Sequence, residues 1–389
     1  MKYIPSLDGV RGLCILAVML SHYNLFSFGG WLGVEIFFVL SGFLITAILL
    51  ESRTLPLKKY LGTFYMRRIL RIFPVYLATT GLFALIEIFK PQTLPLFWRD
   101  SVSLFTYSYN IVSVWRQAHF VSLLQATPYT HFWSLCVEEQ FYFVWPFLVY
   151  FLNGKRLRTF VLAAIVLAPF LRGYVAYAIA RHASPVAAGI SVYVLTTSHV
   201  DSFMLGTALN LFSLTRARAG ALCGIAFGLL LSCGVGHWWF IHKFQPDAAT
   251  LLGRTNFGFS PLVLAGGQHI WGYSVIALFG AALILWAKEK APRVLTWSPL
   301  VHVGKVSYGA YIFHLPLFLL VFSSVNVKNI SGLLLLPVYL LMVVGIATIS
   351  FYGFEKKFLT LKHYFQYRAG RYKWTDVTCP AAVEVGVVD

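Results

Sequence analysis

The chain has 389 residues, 58% of them apolar and 12% charged, with a mean hydropathy of +0.72. A soluble domain carries about 25% charged residues, so this composition excludes an ordinary water-soluble fold and points to lipid as the main solvent. The 31 Lys and Arg against 14 Asp and Glu leave a net charge of +17, but these cations lie scattered between apolar runs, the pattern of juxtamembrane loops rather than of a nucleic-acid surface.

A helix needs about 20 mainly apolar residues to cross the hydrocarbon core. About ten stretches approach that length, at roughly 9–26, 31–51, 72–89, 132–152, 157–180, 200–214, 219–239, 270–287, 306–325 and 332–353. They predict an all-α polytopic transmembrane helical bundle filling 1–374, followed by a flexible cytoplasmic tail, 375–389. The first run holds Arg11 and His22 and leads straight into the second with no small-residue cleavage site, so it reads as a retained span. The stretch 200–214 is short and polar for a span. The loop 91–131 is rich in aromatics (Phe97, Trp98, Tyr107, Tyr109, Trp115) and reads as a re-entrant or interfacial segment. With both termini in the cytoplasm, the inner segments carry about three times as many Lys and Arg as the outer ones, the positive-inside pattern. Of the cysteines (Cys14, Cys136, Cys223, Cys233 and Cys379), no pair has metal-ligand spacing, and an odd count argues against a disulfide framework. No metal site is expected.

Ionisable groups inside spans are costly and mark cavities or sites. Arg11 and His22 stand eleven residues apart, about 16 Å of rise and close to three turns, so they share a face of the first helix. Glu35 lies one turn into the returning second helix, at a depth similar to His22. An imidazole and a carboxylate at matched depth suit an orienting pair; the alternative is a satisfied buried histidine beside an acid at a helix N-terminus. The run His131–Pro146 places Glu138 and Glu139 roughly two turns into an apolar helix, about 100° apart, so that at most one faces a given cavity squarely. Ser307, Tyr311 and His314 fall at i, i+4 and i+7 on one face, a stripe that is more often a hydrogen-bonding seam than a site. Arg67, Arg68 and Arg71 precede the third span. They either orient the chain and bind anionic lipid, or capture a phosphorylated donor through bidentate guanidinium contacts.

The runs SLDGVRGLCILAVMLSH (Ser6–His22), GVEIFFVLSGFLIT (Gly33–Thr46), FYMRRILRIFPVY (Phe64–Tyr76), HFWSLCVEEQFYFVWP (His131–Pro146) and SYGAYIFHLP (Ser307–Pro316) resemble, in order, the integral-membrane acyltransferase family 3, whose signature is the Arg-x10-His spacing of Arg11 and His22. The resemblance implies transfer of an acyl group, usually acetyl from cytoplasmic acetyl-CoA, to a hydroxyl of an extracytoplasmic glycan or glycolipid, or in some relatives of a macrolide, by a multi-pass protein of the bacterial inner membrane. It implies His22 as catalytic base supported by Arg11 and Glu35, CoA phosphates at Arg67, Arg68 and Arg71, and a substrate pocket of Glu138, Glu139, Tyr142, Tyr311, His314 and Asp201. One departure stands out: where the family often has Arg two residues before an Asp, this chain has His199 before Asp201. Some members add a C-terminal extracytoplasmic hydrolase-like domain. None is expected here, leaving the chemistry to the membrane domain. The rival class is a transporter or flippase in which His22, Glu35, Glu138 and His314 relay protons; against it stand the missing inverted repeat and the absence of paired broken helices.

Overall fold

The computed structural model describes residues 3–23, 29–88, 94–119, 127–213, 216–252, 258–322 and 330–367, so the expected tail 375–389 lies outside the described residues. The described residues form helices and connecting turns, with no strand among them. In chain order the helices are α1 (Pro5–His22), α2 (Gly30–Ser52), α3 (Leu57–Ile88), α4 (Leu94–Phe105), α5 (Tyr109–His119), α6 (Trp133–Phe151), α7 (Gly154–Ala180) and α8 (Pro185–Val194). There follow α9 (Val200–Leu211), α10 (Ala219–Phe244), α11 (Pro246–Leu252), α12 (Gln268–Lys290), α13 (Ser298–Lys305), α14 (Ser307–Leu317), α15 (Ile330–Ser350) and α16 (Lys356–Thr360).

Among the described residues, six helices are long and apolar enough to cross a membrane: Gly30–Ser52, Leu57–Ile86, Gly154–Ala180, Ala219–Phe244, Ala265–Lys290 and Leu334–Tyr364. A seventh span is added if the pair Ser298–Lys305 and Ser307–Phe322, bent by 75°, counts as one. Two sequence-based expectations need correcting. The third helix begins at Leu57 rather than near 72, because its arginine-rich first half lowers hydropathy without interrupting helical backbone. The stretch expected to span at 200–214 is a helix of 12 residues. At 1.5 Å per residue it rises about 18 Å, short of the ~30 Å hydrocarbon core. It is preceded by a 3-10 turn, Thr196–His199.

Local sequence sets several helix starts. The Asn153 side chain accepts the Arg156 amide at 2.9 Å to cap α7, and Ser184 caps α8 by accepting the Ala187 amide, with Pro185 in the first turn, each satisfying an otherwise orphaned amide.

The pillar of the fold is α2, which packs on α1, α6, α9 and α12. Its crossing with α9 is a backbone contact. A Cβ on Gly42 would sit 2.0 Å from the Phe203 carbonyl oxygen, and one on Gly206 would sit 1.8 Å from that of Val39. Only glycine permits that approach, the small-residue packing typical of membrane helices. Polar bonds tie the same helices together. Thr46 and Thr207 hydroxyls lie 2.8 Å apart, and the Trp145 indole N–H donates to Thr46 Oγ1 at 2.8 Å, joining α2, α9 and α6. With α2 held on one side, its opposite face is free to line a cavity with α1, α3, α6 and α14.

Candidate active site

That cavity has a volume of about 120 Å³. Of the residues expected from sequence, Arg11, Arg68, Arg71, Glu138, Glu139, Tyr142 and Tyr311 line it, contributed by α1, α3, α6 and α14, and Ser41 of α2 lines it with them. Arg11 is held by Asp8, its Nη1 donating to Oδ1 at 2.7 Å, while Tyr3 donates to the second carboxylate oxygen at 2.8 Å. The Arg68 guanidinium sits 5.9 Å from the Tyr142 ring and 6.0 Å from the Phe64 ring, a cation over aromatic faces. Glu138 accepts a 2.5 Å hydrogen bond from the Ser41 hydroxyl, and Tyr142 donates to that serine oxygen at 3.2 Å. Glu139 presents a buried carboxylate oxygen with no hydrogen-bond partner among the described residues. Both glutamates therefore reach one cavity, closer together in effect than their 100° offset suggested.

Arg67 differs from its neighbours. Its Nη1 donates to the backbone carbonyls of Lys362 (3.1 Å) and Phe365 (2.8 Å), and its guanidinium stacks 5.3 Å from the Tyr367 ring. It does not line the cavity; it straps the turn after α16 against the arginine-bearing helix.

His22 lies beyond the cavity lining, at the end of a row of imidazoles. Its ring centroid is 4.9 Å from that of His314, which is 4.9 Å from that of His131. The His22 Nδ1–H donates to the Val18 carbonyl at 3.0 Å. A carbonyl only accepts, so this bond assigns the Nδ1 proton and leaves Nε2 as the basic nitrogen of the neutral ring. His314 likewise donates from Nδ1 to the Tyr311 carbonyl at 2.6 Å. Between this row and the cavity stands Tyr311, whose ring is 5.3 Å from His131 and 5.4 Å from His314 and whose hydroxyl lies 2.5 Å from that of Ser134. His131, buried just before α6, joins the row although in the sequence only its place at the start of an apolar helical run marks it.

The expected pairing of Glu35 with His22 is not what the structure brings together. Glu35 is fully buried, its Oε1 lies 2.7 Å from His199 Nδ1, and its Oε2 accepts from Ser202 at 2.7 Å. His199 Nε2 donates to the Tyr193 carbonyl at 2.7 Å. With Nε2 committed as a donor, His199 turns its Nδ1 to the Glu35 carboxylate, a buried polar contact between α2 and the turn before α9. The histidine at the family's arginine position thus has a partner after all. Asp201, expected in the substrate pocket, is instead clamped by Arg172 through two 3.0 Å bonds and accepts from Ser274 at 2.5 Å, fully buried between α7, α9 and α12. This bidentate pair ties the three helices together, and Asp201 does not line the cavity. Arg172 also donates to the Ile270 carbonyl at 2.8 Å; its place inside an apolar span was the one sequence signal of this knot.

The chain belongs to the acyltransferase domain family, whose match covers residues 4–352. It is 28% identical over 380 residues to the putative peptidoglycan O-acetyltransferase YrhL of Bacillus subtilis, covering 92% of this chain and 55% of that protein. It is 30% identical over 341 residues to the peptidoglycan O-acetyltransferase OatA of Listeria monocytogenes (82% of this chain, 50% of that protein) and 26% identical over 340 residues to the O-acetyltransferase OatA of Staphylococcus aureus (83% and 52%). The chain spans about half the length of these curated relatives. No solved structure matches.

Proposed function

We propose that this protein is a membrane-bound O-acetyltransferase that moves acetyl from cytoplasmic acetyl-CoA to a hydroxyl of an envelope glycan, with peptidoglycan the first acceptor to test. The observation that carries the reading is the grouping of Arg11, Arg68 and Arg71 with Glu138 and Glu139 in one cavity inside an acyltransferase-family bundle. Guanidinium forks suit the phosphates of a CoA donor, and buried carboxylates suit proton transfer. His22, with Nε2 left basic, takes the proton of the acceptor hydroxyl. Arg11 serves the donor side of the cavity, and the Glu35–His199 pair holds α2 and α9 in register behind it. In this reading the chain is a multi-pass protein of a bacterial cytoplasmic membrane, with both termini in the cytoplasm, a membrane domain at 1–374 and a tail at 375–389.

Membranes containing the protein, incubated with labelled acetyl-CoA and peptidoglycan precursors, should yield labelled muropeptides by mass spectrometry. His22→Ala should insert normally and lose transfer by about 10²-fold or more. Transfer at the wild-type rate by that variant removes His22 from its role, and membranes that label no hydroxyl overturn the proposal itself.

A further inference from the structure

We infer that Ser41 is the nucleophile that carries the acetyl group covalently between donor and acceptor, with Glu138 as its base; this rests on the acetyltransferase reading above. Among the described residues the cavity with the arginines holds no histidine in its lining, whereas His22 sits past Tyr311 in the imidazole row. A base removed from the donor cavity suits the second half of a two-step transfer, and the first half then needs its own nucleophile and base inside the cavity.

The cavity supplies one such couple. Several hydroxyls line it, but Ser41 is the one that, among the described residues, donates to a cavity carboxylate, Glu138 Oε1 at 2.5 Å. Ser134 and Tyr311 are occupied with each other and with the His131 carbonyl, at 3.2 and 3.0 Å respectively. Tyr142 instead donates to Ser41, at 3.2 Å, so the serine oxygen has its proton directed at the base and its remaining lone pair free. Tyr142, Ser41 and Glu138 thus form a chain in which the nucleophile is oriented from one side and faces a base on the other, and a hydroxyl within hydrogen-bond reach of a base is the pairing that activates it. Arg68, over the Tyr142 ring, and Arg11 offer cationic donors for the oxyanion of a tetrahedral intermediate. The backbone contact at Gly42 prevents α2 from turning, which holds the adjacent Ser41 toward the cavity.

The chemistry balances. Glu138 takes the Ser41 proton as the serine oxygen attacks the thioester carbonyl carbon; the C–S bond breaks, and the CoA thiolate leaves with the proton returned by Glu138. The acceptor oxygen then attacks the serine ester, its proton passing to His22. The bond between the acyl carbon and the Ser41 oxygen breaks as that oxygen takes a proton from water, and the His22 imidazolium returns its proton to water. The alternative is that the Ser41–Glu138 bond only joins α2 to α6 as polar glue.

The two differ in one reaction that needs no acceptor. Purified full-length protein in nanodiscs, given acetyl-CoA and isotopically labelled CoA, should move label into acetyl-CoA, and acid-quenched digests should show an acetyl mass on the peptide bearing Ser41. Ser41→Ala should lower that exchange by about 10³-fold or more while binding acetyl-CoA within about twofold of wild type by calorimetry. Ser41→Cys, should the alanine variant misfold, should restore exchange through a thioester. Transfer to acceptor without any exchange, or near-wild-type transfer by Ser41→Ala, overturns the serine carrier and leaves the acetyltransferase reading standing. Absence of both exchange and transfer overturns both.

Discussion

Arg172 and Asp201 are fully buried and held by two 3.0 Å bonds, so removing one leaves the other as an uncompensated charge. Asp201→Ala is expected to cost about 3–5 kcal/mol and to appear as a lowered Tm of the detergent-solubilised protein. The double variant Arg172→Met with Asp201→Leu should recover most of it. The arginines before the third span divide by their partners. Arg68→Ala and Arg71→Ala should raise the acetyl-CoA KM. Arg67→Ala should leave KM nearly unchanged and instead speed amide exchange across 361–367, because its guanidinium is spent on the Lys362 and Phe365 carbonyls. Equal KM effects for all three would return Arg67 to the donor site.

At the scale of elements, the crossing of α2 and α9 decides where everything else points. Gly42→Ala puts a methyl carbon 2.0 Å from a carbonyl oxygen, and backbone cannot yield as a side chain does. A loss of about 1–3 kcal/mol is expected, measured as thermal stability, together with reduced transfer as Ser41 shifts. Unaltered stability would mean the two helices separate freely. Part of the cavity was legible in the sequence: Arg11, Glu138 and Glu139 are ionisable groups in apolar runs, which burial cost marks, whereas Arg68 and Arg71 stood out only as cations before the third span, Tyr311 as part of a polar stripe, and Tyr142 through the family resemblance. The partners were not. Ser41 meets Glu138 across 97 positions and Ser202 meets Glu35 across 167, distances over which periodicity carries no information. Depth-matching across a short turn favoured His22 for Glu35, but a helix fixes only height, and the carboxylate points around α2 to α9. The start of α3 was missed for a different reason: hydropathy detects lipid contact, and the arginine-bearing turns are helical without it.

For the whole molecule, the excess of Lys and Arg in alternate loops predicts that reporters fused after residue 367 and in the loop near 153 report the cytoplasm, and one inserted near 182 the outer face. An external report from the C-terminal fusion would reverse the assignment of donor and acceptor sides. The family match over residues 4–352 gathers nearly all the described helices into one unit, so these reporters test the orientation of the cavity as well as that of the chain.

The short α9 carries a further consequence. Its 12 residues, with a 3-10 turn before them, put two helix ends, each with backbone groups that the helix itself leaves unpaired, where a full span would have none. Such backbone survives in a bilayer only behind a wall of protein or beside water. Acyl chains must therefore be kept from α9 on every side by α2, α7 and α12, which pack around it. Photoactivatable lipids should label the exposed Phe170 and Tyr174 of α7 and leave α9 unmarked, making the protein a fence of lipid-facing helices around an axle that the membrane never touches.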